Sequence, residues 1–164
     1  MSNTARNVGY IGLGNLGFHL AHSLLRSGHR VTITDLDRSL AEPLIAKGAI
    51  WADSAREVAE QSDVVFTCLP SPRAVDAVVA GPNGVFEGLR AGGTWIDNST
   101  NDQHETMRFA ELAAARGIHV LEAPVTGGVH KAAAGEITVL VGGDEAIFQA
   151  NEELLAAIGS PVLY

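Results

Sequence analysis

The 164-residue sequence is poor in several residue types. It has one cysteine, Cys68, and two lysines, Lys47 and Lys131. A single cysteine excludes an internal disulfide framework and fits a reducing cytoplasm. Basic residues number 11 against 19 acidic ones, a net charge of −8 at pH 7. No basic cluster interrupts that balance, which argues against nucleic acid as a partner. No apolar run approaches the ~20 residues of a membrane span, and Met1 to Asn7 is short and polar, with no signal-peptide core. Internal repeats, low-complexity tracts and inter-domain linkers are also missing. His19 and His22 stand at i, i+3 on a helical stretch and read as surface residues, so no metal is expected.

What is present suits a compact globular chain: 46% hydrophobic residues, 18% charged, a mean hydropathy of +0.15. Its 18 glycines exceed the average of about 7%, as a fold with many tight strand–helix turns requires. Cys68 lies in the apolar run Val64-Val65-Phe66-Thr67-Cys68 and reads as a small buried hydrophobe.

Residues Gly12-Leu13-Gly14-Asn15-Leu16-Gly17 follow the apolar run Val8-Gly9-Tyr10-Ile11 and open a helical stretch. In that context G-x-G-x-x-G is a dinucleotide-binding turn. The first glycine makes the tight turn, the second admits the pyrophosphate, and the third lets helix and strand pack closely. The helix start offers unpaired N–H groups and a positive dipole end to the anion. Val31-Thr32-Ile33-Thr34 reads as a second strand ending at Asp35, 18 residues past Gly17. That is close to the spacing at which an acid binds the adenosine ribose, although strand-end acids also serve as helix caps. A carboxylate there repels the extra phosphate of NADP, and the next residue is Leu36 rather than arginine. NAD is therefore favoured, with nearby Arg38 leaving NADP open.

Strand candidates at 8–11, 31–34, 64–68, 94–97, 118–122, 137–141 and 161–163 alternate with helix candidates at 15–27, 39–47, 54–61, 72–80, 102–116 and 145–158. The pattern predicts an α/β fold: a Rossmann-type doubly wound, mostly parallel sheet with helices on both faces. Ser39 and Glu42 have the spacing of a capping box, with Pro43 early in the same helix. Gly28, Gly48 and Gly117 suit helix C-terminal caps.

Three further loops leave strand ends on the edge of the sheet where ligands bind. Leu69-Pro70-Ser71-Pro72 is a cofactor-lining loop or an ordinary turn. Asp97-Asn98-Ser99-Thr100 offers hydroxyls and an amide for a carboxylate or a nicotinamide ribose, or caps the helix near Asp102. Thr126-Gly127-Gly128 is an anion nest or a flexible turn.

Together these motifs resemble the N-terminal domain of the beta-hydroxyacid dehydrogenases, which include 3-hydroxyisobutyrate dehydrogenase and tartronate semialdehyde reductase, with 6-phosphogluconate dehydrogenase more distant. Gly-Leu-Gly-Asn-Leu-Gly at 12–17 is similar to the family's G-L-G-x-M-G, and Asp97 to Thr100 to its D-x-S-T. Leu69-Pro70 after a strand matches as well. Pro124-Val125-Thr126-Gly127-Gly128 with Ala132, Gly135 and Gly142-Gly143 resembles P-V-S-G-G-x-x-x-A-x-x-G-x-L-x-x-x-V-G-G, with Thr126 for serine and Ile137 for leucine.

The resemblance implies roles. Gly12, Leu13, Gly14, Asn15, Leu16 and Gly17 would hold the pyrophosphate and Asp35 the adenosine ribose. Leu69, Pro70 and Thr100 would line the nicotinamide half. Ser99, Thr126, Gly127 and Gly128 would bind the carboxylate of a small substrate. The family's proton-transferring lysine belongs to a K-x-x-N-N pattern in a C-terminal all-helical domain, and neither Lys47 nor Lys131 has that context. The expectation is a cofactor domain over 1–164, the lysine lying beyond Tyr164, and no turnover by this chain alone. The parent would be a homo-oligomer through the helical domain, whose absence would bare an apolar patch near 145–164 and favour self-association. The alternatives are a non-catalytic dinucleotide-binding module and the cofactor domain of an imine reductase-like enzyme.

Overall fold

A computed structural model describes residues 4–164; residues 1–3, part of the polar start read above, lie outside the described residues. Seven strands form the main sheet: β1 (Asn7–Ile11), β2 (Arg30–Thr34), β3 (Ile50–Trp51), β4 (Val64–Thr67), β5 (Thr94–Asp97), β6 (His119–Glu122) and β9 (Gly142–Gly143). Their order is β3-β2-β1-β4-β5-β6-β9. All neighbours run parallel except β9, which is antiparallel to β6. The order reverses between β1 and β4. There the loops after the two strands diverge to opposite faces and leave a crevice at their carboxyl ends. A second sheet, β10-β8-β7, joins β7 (Val125–Thr126), β8 (Thr138–Leu140) and β10 (Val162–Leu163).

Strand residues alternate between two cores, as the two-residue repeat of a buried strand requires. Val8, Tyr10, Val64, Phe66 and Ile96 pack with α1 (Gly17–Arg26) and α8 (Glu145–Ile158) on one face. Ile11, Val65 and Trp95 pack with α3 (Ala55–Glu60), α4 (Pro72–Val79) and α6 (Gln103–Ala114) on the other. Gly9 lets α3 approach β1: a Cβ there would lie 2.5 Å from Val58 Cγ1. Side-chain caps start the helices at Ser54, Ser71, Asp102 and Asp144. Gly28, Gly48 and Gly117 each follow a helix at positive φ. In each case the next N–H reaches back five residues, as His29 does to Leu24 O, closing the last turn.

Three expectations need correction. The 39–47 helix is broken into a 3-10 turn at Arg38–Leu40 and a four-residue α2 (Glu42–Ile45). Ser39 does not cap it: its hydroxyl donates to Asp37 Oδ1 at 2.6 Å, and Asp37 accepts the Ser39 N–H instead. The 137–141 strand belongs to the small sheet, and β9 closes the main sheet at that edge. Two short helices, α5 (Val85–Gly88) and α7 (Val129–Ala134), occupy stretches to which the sequence pattern assigns no element. Leu140, Leu163 and Tyr164 are exposed near the chain's end. No helix among the described residues is long and apolar enough to cross a membrane.

Candidate functional site

The glycine loop lies between β1 and α1. Gly12 has φ +96°, and a Cβ on it would stand 2.2 Å from the Cys68 carbonyl oxygen. A Cβ on Gly17 would stand 1.9 Å from the Gly12 carbonyl oxygen. These two glycines are demanded by the fold itself. Gly14 is different, because a Cβ there meets nothing within 4 Å. The N–H groups of Gly14, Asn15 and Leu16 find no acceptor among the described residues, and α1 starts without a side-chain cap. An open backbone with unpaired donors at the positive end of a ten-residue helix fits a pyrophosphate.

Asp35 stands at the end of β2 and is tied to this loop. Its Oδ2 accepts the Leu13 N–H at 2.7 Å, and its Oδ1 accepts the Asp37 N–H at 2.9 Å. Each oxygen keeps a further lone pair for a ribose hydroxyl. Leu36 beside it is fully exposed. Arg38 lies over the Trp51 ring, 5.2 Å from its centroid, with Glu42 at 3.8 Å.

The ends of β4 and β5 are held by buried polar groups that the sequence reading did not separate from the ligand-facing ones. Asp97 is 2% exposed. It accepts from Thr67 Oγ1 at 2.8 Å, from the Ser99 N–H at 3.0 Å and from Asn101 Nδ2 at 2.5 Å. Trp95 Nε1 donates to the same Thr67 hydroxyl at 2.9 Å. Asn98, 4% exposed, points to the opposite face. Its Oδ1 accepts from Tyr10 Oη at 2.9 Å and its Nδ2 donates to Ala123 O at 2.7 Å. The Asn98 amide, read above as a group for a ligand, is thus consumed internally. The signal was available: Asn98 follows Ile96 by two residues, on the same side of a strand that is buried on both faces. Asp102 is the helix cap, through the Glu105 N–H.

Ser99 Oγ accepts the Leu69 N–H at 2.8 Å and so joins two expected site residues directly. Pro70 and Thr100 are exposed beside them in the chain. Thr126 pairs with Thr138 in the small sheet, and Gly127 and Gly128 are exposed with positive φ. No hydrogen bond among the described residues joins these three to Ser99; the link runs through Asn98 and Ala123. Cys68 sits beneath the glycine loop. Burial pushes its thiol up to about 11, the Asp97 charge adds to this, and hydrogen bonding with Tyr10 and the Gly17 backbone opposes it. Burial likewise holds the Tyr10 phenol well above its ordinary value, so it stays a donor.

Residues 7–164 match the family model of the NAD binding domain of 6-phosphogluconate dehydrogenase. The chain belongs to this family. This NAD(P)-binding domain is 36% identical over 157 residues to 2-(hydroxymethyl)glutarate dehydrogenase of Eubacterium barkeri, covering 96% of this chain and 52% of that one. It is 37% identical to the mitochondrial 3-hydroxyisobutyrate dehydrogenase of Mus musculus, covering 96% and 47%. The chain spans about half the length of the curated relatives it matches. Among solved structures, Psf3 in complex with NADP+ and 2-OPP superposes with a TM-score of 0.91 at 30% identity, covering 96% of this chain and 56% of that one. The V8 variant of an imine reductase from Myxococcus stipitatus, in complex with NAD+, shares the fold, with a TM-score of 0.89 at 22% identity.

Proposed function

We propose that this domain prefers NAD and serves an oxidoreductase that interconverts a small beta-hydroxy acid and its semialdehyde or keto form. The observation that carries the preference is the Asp35 carboxylate, anchored on the Leu13 N–H beside the glycine loop, while Arg38 is occupied by Trp51 and Glu42. A fixed negative charge at the adenosine ribose favours free hydroxyls over a phosphate. In this reading Gly12 to Gly17 hold the pyrophosphate, and Leu69, Pro70 and Thr100 line the nicotinamide half. Ser99, Thr126, Gly127 and Gly128 hold the substrate carboxylate. The nicotinamide exchanges a hydride with the substrate carbon. Lys131 packs on Gly127, where a Cβ would lie 2.9 Å from its Cδ, but it lacks the K-x-x-N-N context, so we assign the hydroxyl proton to a lysine of a further domain. A C-terminal helical domain is the proposed source of that group and of the oligomer contacts. The partly buried lone thiol suits a reducing compartment, for which we propose the cytoplasm.

Titration with NADH and NADPH tests the preference, read by energy transfer from Trp51 and Trp95. The expected result is NADH binding tighter by about tenfold, or about 1.4 kcal/mol. Asp35→Asn keeps one acceptor and removes the charge, and should narrow that ratio. Tighter NADPH binding by the unaltered chain would overturn the assignment.

A further inference from the structure

We infer that Asn98 and Tyr10 form a buried brace that positions the nicotinamide-side loops without contacting the ligand. The inference rests on the dinucleotide reading above. Asn98 leaves the end of β5 toward one sheet face and joins two other strands there. Tyr10 on β1 donates to its Oδ1, and Ala123, directly after β6, accepts from its Nδ2. The Tyr10 and Ala123 side chains are fully buried, so neither end of the brace has water as a substitute. The next residue, Ser99, holds the Leu69 N–H. Ala123 leads within a few residues to Thr126, Gly127 and Gly128. One side chain therefore sets the spacing of the Leu69, Ser99 and Thr126–Gly128 loops relative to β1.

The adenosine side is held by a separate set of contacts. Gly12 N–H donates to Thr34 O at 3.2 Å, Leu13 N–H donates to Asp35, and Gly12 packs on the Cys68 backbone. None of these contacts passes through Asn98. Losing the brace should loosen one half of the site and leave the other in place. A residue that merely stabilised the fold would affect both halves alike.

The test compares NADH with ADP, which lacks the nicotinamide ribose half. Calorimetric affinities are measured for the unaltered chain, Asn98→Leu and Tyr10→Phe. Asn98→Leu should weaken NADH by about tenfold, equivalent to about 1.4 kcal/mol, with ADP changed less than about twofold. Tyr10→Phe keeps the Ala123 bond and should fall between. If Asn98→Leu does not fold, Tyr10→Phe decides on the same ratio. An NADH-to-ADP affinity ratio equal to that of the unaltered chain overturns the brace, whatever happens to the melting temperature. An unaltered chain that binds neither ligand overturns the dinucleotide reading, and the brace with it.

Discussion

Gly14 and Gly17 stand three residues apart in one motif, yet the structure gives alanine substitutions at them opposite effects. Gly17→Ala would put a Cβ 1.9 Å from the Gly12 carbonyl oxygen, which is backbone and cannot swing away. Overpacking of that kind costs about 1–3 kcal/mol or more. For a chain of this size, about 1 kcal/mol corresponds to about 2–4 °C in melting temperature, so a drop of several degrees is expected. Gly14→Ala meets nothing within 4 Å, and Gly14 is not among the positive-φ glycines. Alanine there should leave stability unchanged or raise it by about 0.4–1 kcal/mol, because the unfolded chain loses freedom. The open space over Gly14 is the path assigned to the pyrophosphate. A methyl group in that path should cost about 1–3 kcal/mol of binding, a rise in Kd for NADH of roughly 5- to 150-fold by about 1.4 kcal/mol per decade. Thermal melts and NADH titrations of both variants check the pair. Full-strength NADH binding by a folded Gly14→Ala chain would refute the placement of the cofactor over this loop.

Two titrating groups give further tests. His29 is 5% exposed, its Nδ1 accepts the Arg6 N–H at 3.2 Å, and its buried Nε2 has no partner among the described residues. Burial lowers its pKa, with Arg6 reinforcing and Glu153 opposing. The unfolded chain therefore takes up this proton first as pH falls, so the stabilising contribution is complete above about pH 6.5 and declines below it toward the folded pKa. Urea melts at about pH 7.5, 6.5 and 5.5 should show a steeper loss for the unaltered chain than for His29→Gln; parallel curves would contradict the assignment. Cys68, with its thiol raised to about 11, should react with a disulfide reagent at about pH 8 roughly a hundredfold more slowly than in the unfolded chain, where a free thiol titrates near about 8.5. Labelling at the unfolded rate would show that the thiol is not protected beneath the glycine loop.

The parts of this domain that were legible in the sequence are those whose cause is local. Gly12 to Gly17 follow a strand and open a helix, and Asp35 ends the next strand; each can be read within one βαβ unit. Helix α8 was delimited at both ends, because Asp144 caps its start through the Ala146 and Ile147 N–H groups and Gly159 ends it. The rest depended on partners distant in sequence. Ser39 lost its capping role to Asp37, a competition that spacing alone does not rank. Helix α7 has only six residues between Gly128 and Gly135, too few to show a helical period. The strand at 138–140 alternates as a main-sheet strand would, but which sheet it joins is set by its pairing with Val125 and Val162.

Charge explains why so much of the site is backbone. A net charge of −8 repels an anionic ligand at long range, so attraction has to come from short-range donors. In the proposed site, the three N–H groups at Gly14, Asn15 and Leu16 and the start of α1 offer them without a cation. Donors of this kind act only where the backbone is held to a fraction of an ångström, which is what Gly12 against Cys68 and Asp35 against Leu13 achieve. The same economy governs the other edge of the crevice. Asp97 and Asn98 spend their polar groups on opposite faces of β5, and Ser99, next in the chain, is held at Leu69 with its own hydroxyl proton still to donate. Strand alternation thus sends Asp97 and Asn98 to opposite faces, where both fix the frame, while Ser99, just past the strand, keeps a hydroxyl proton for the ligand proposed above.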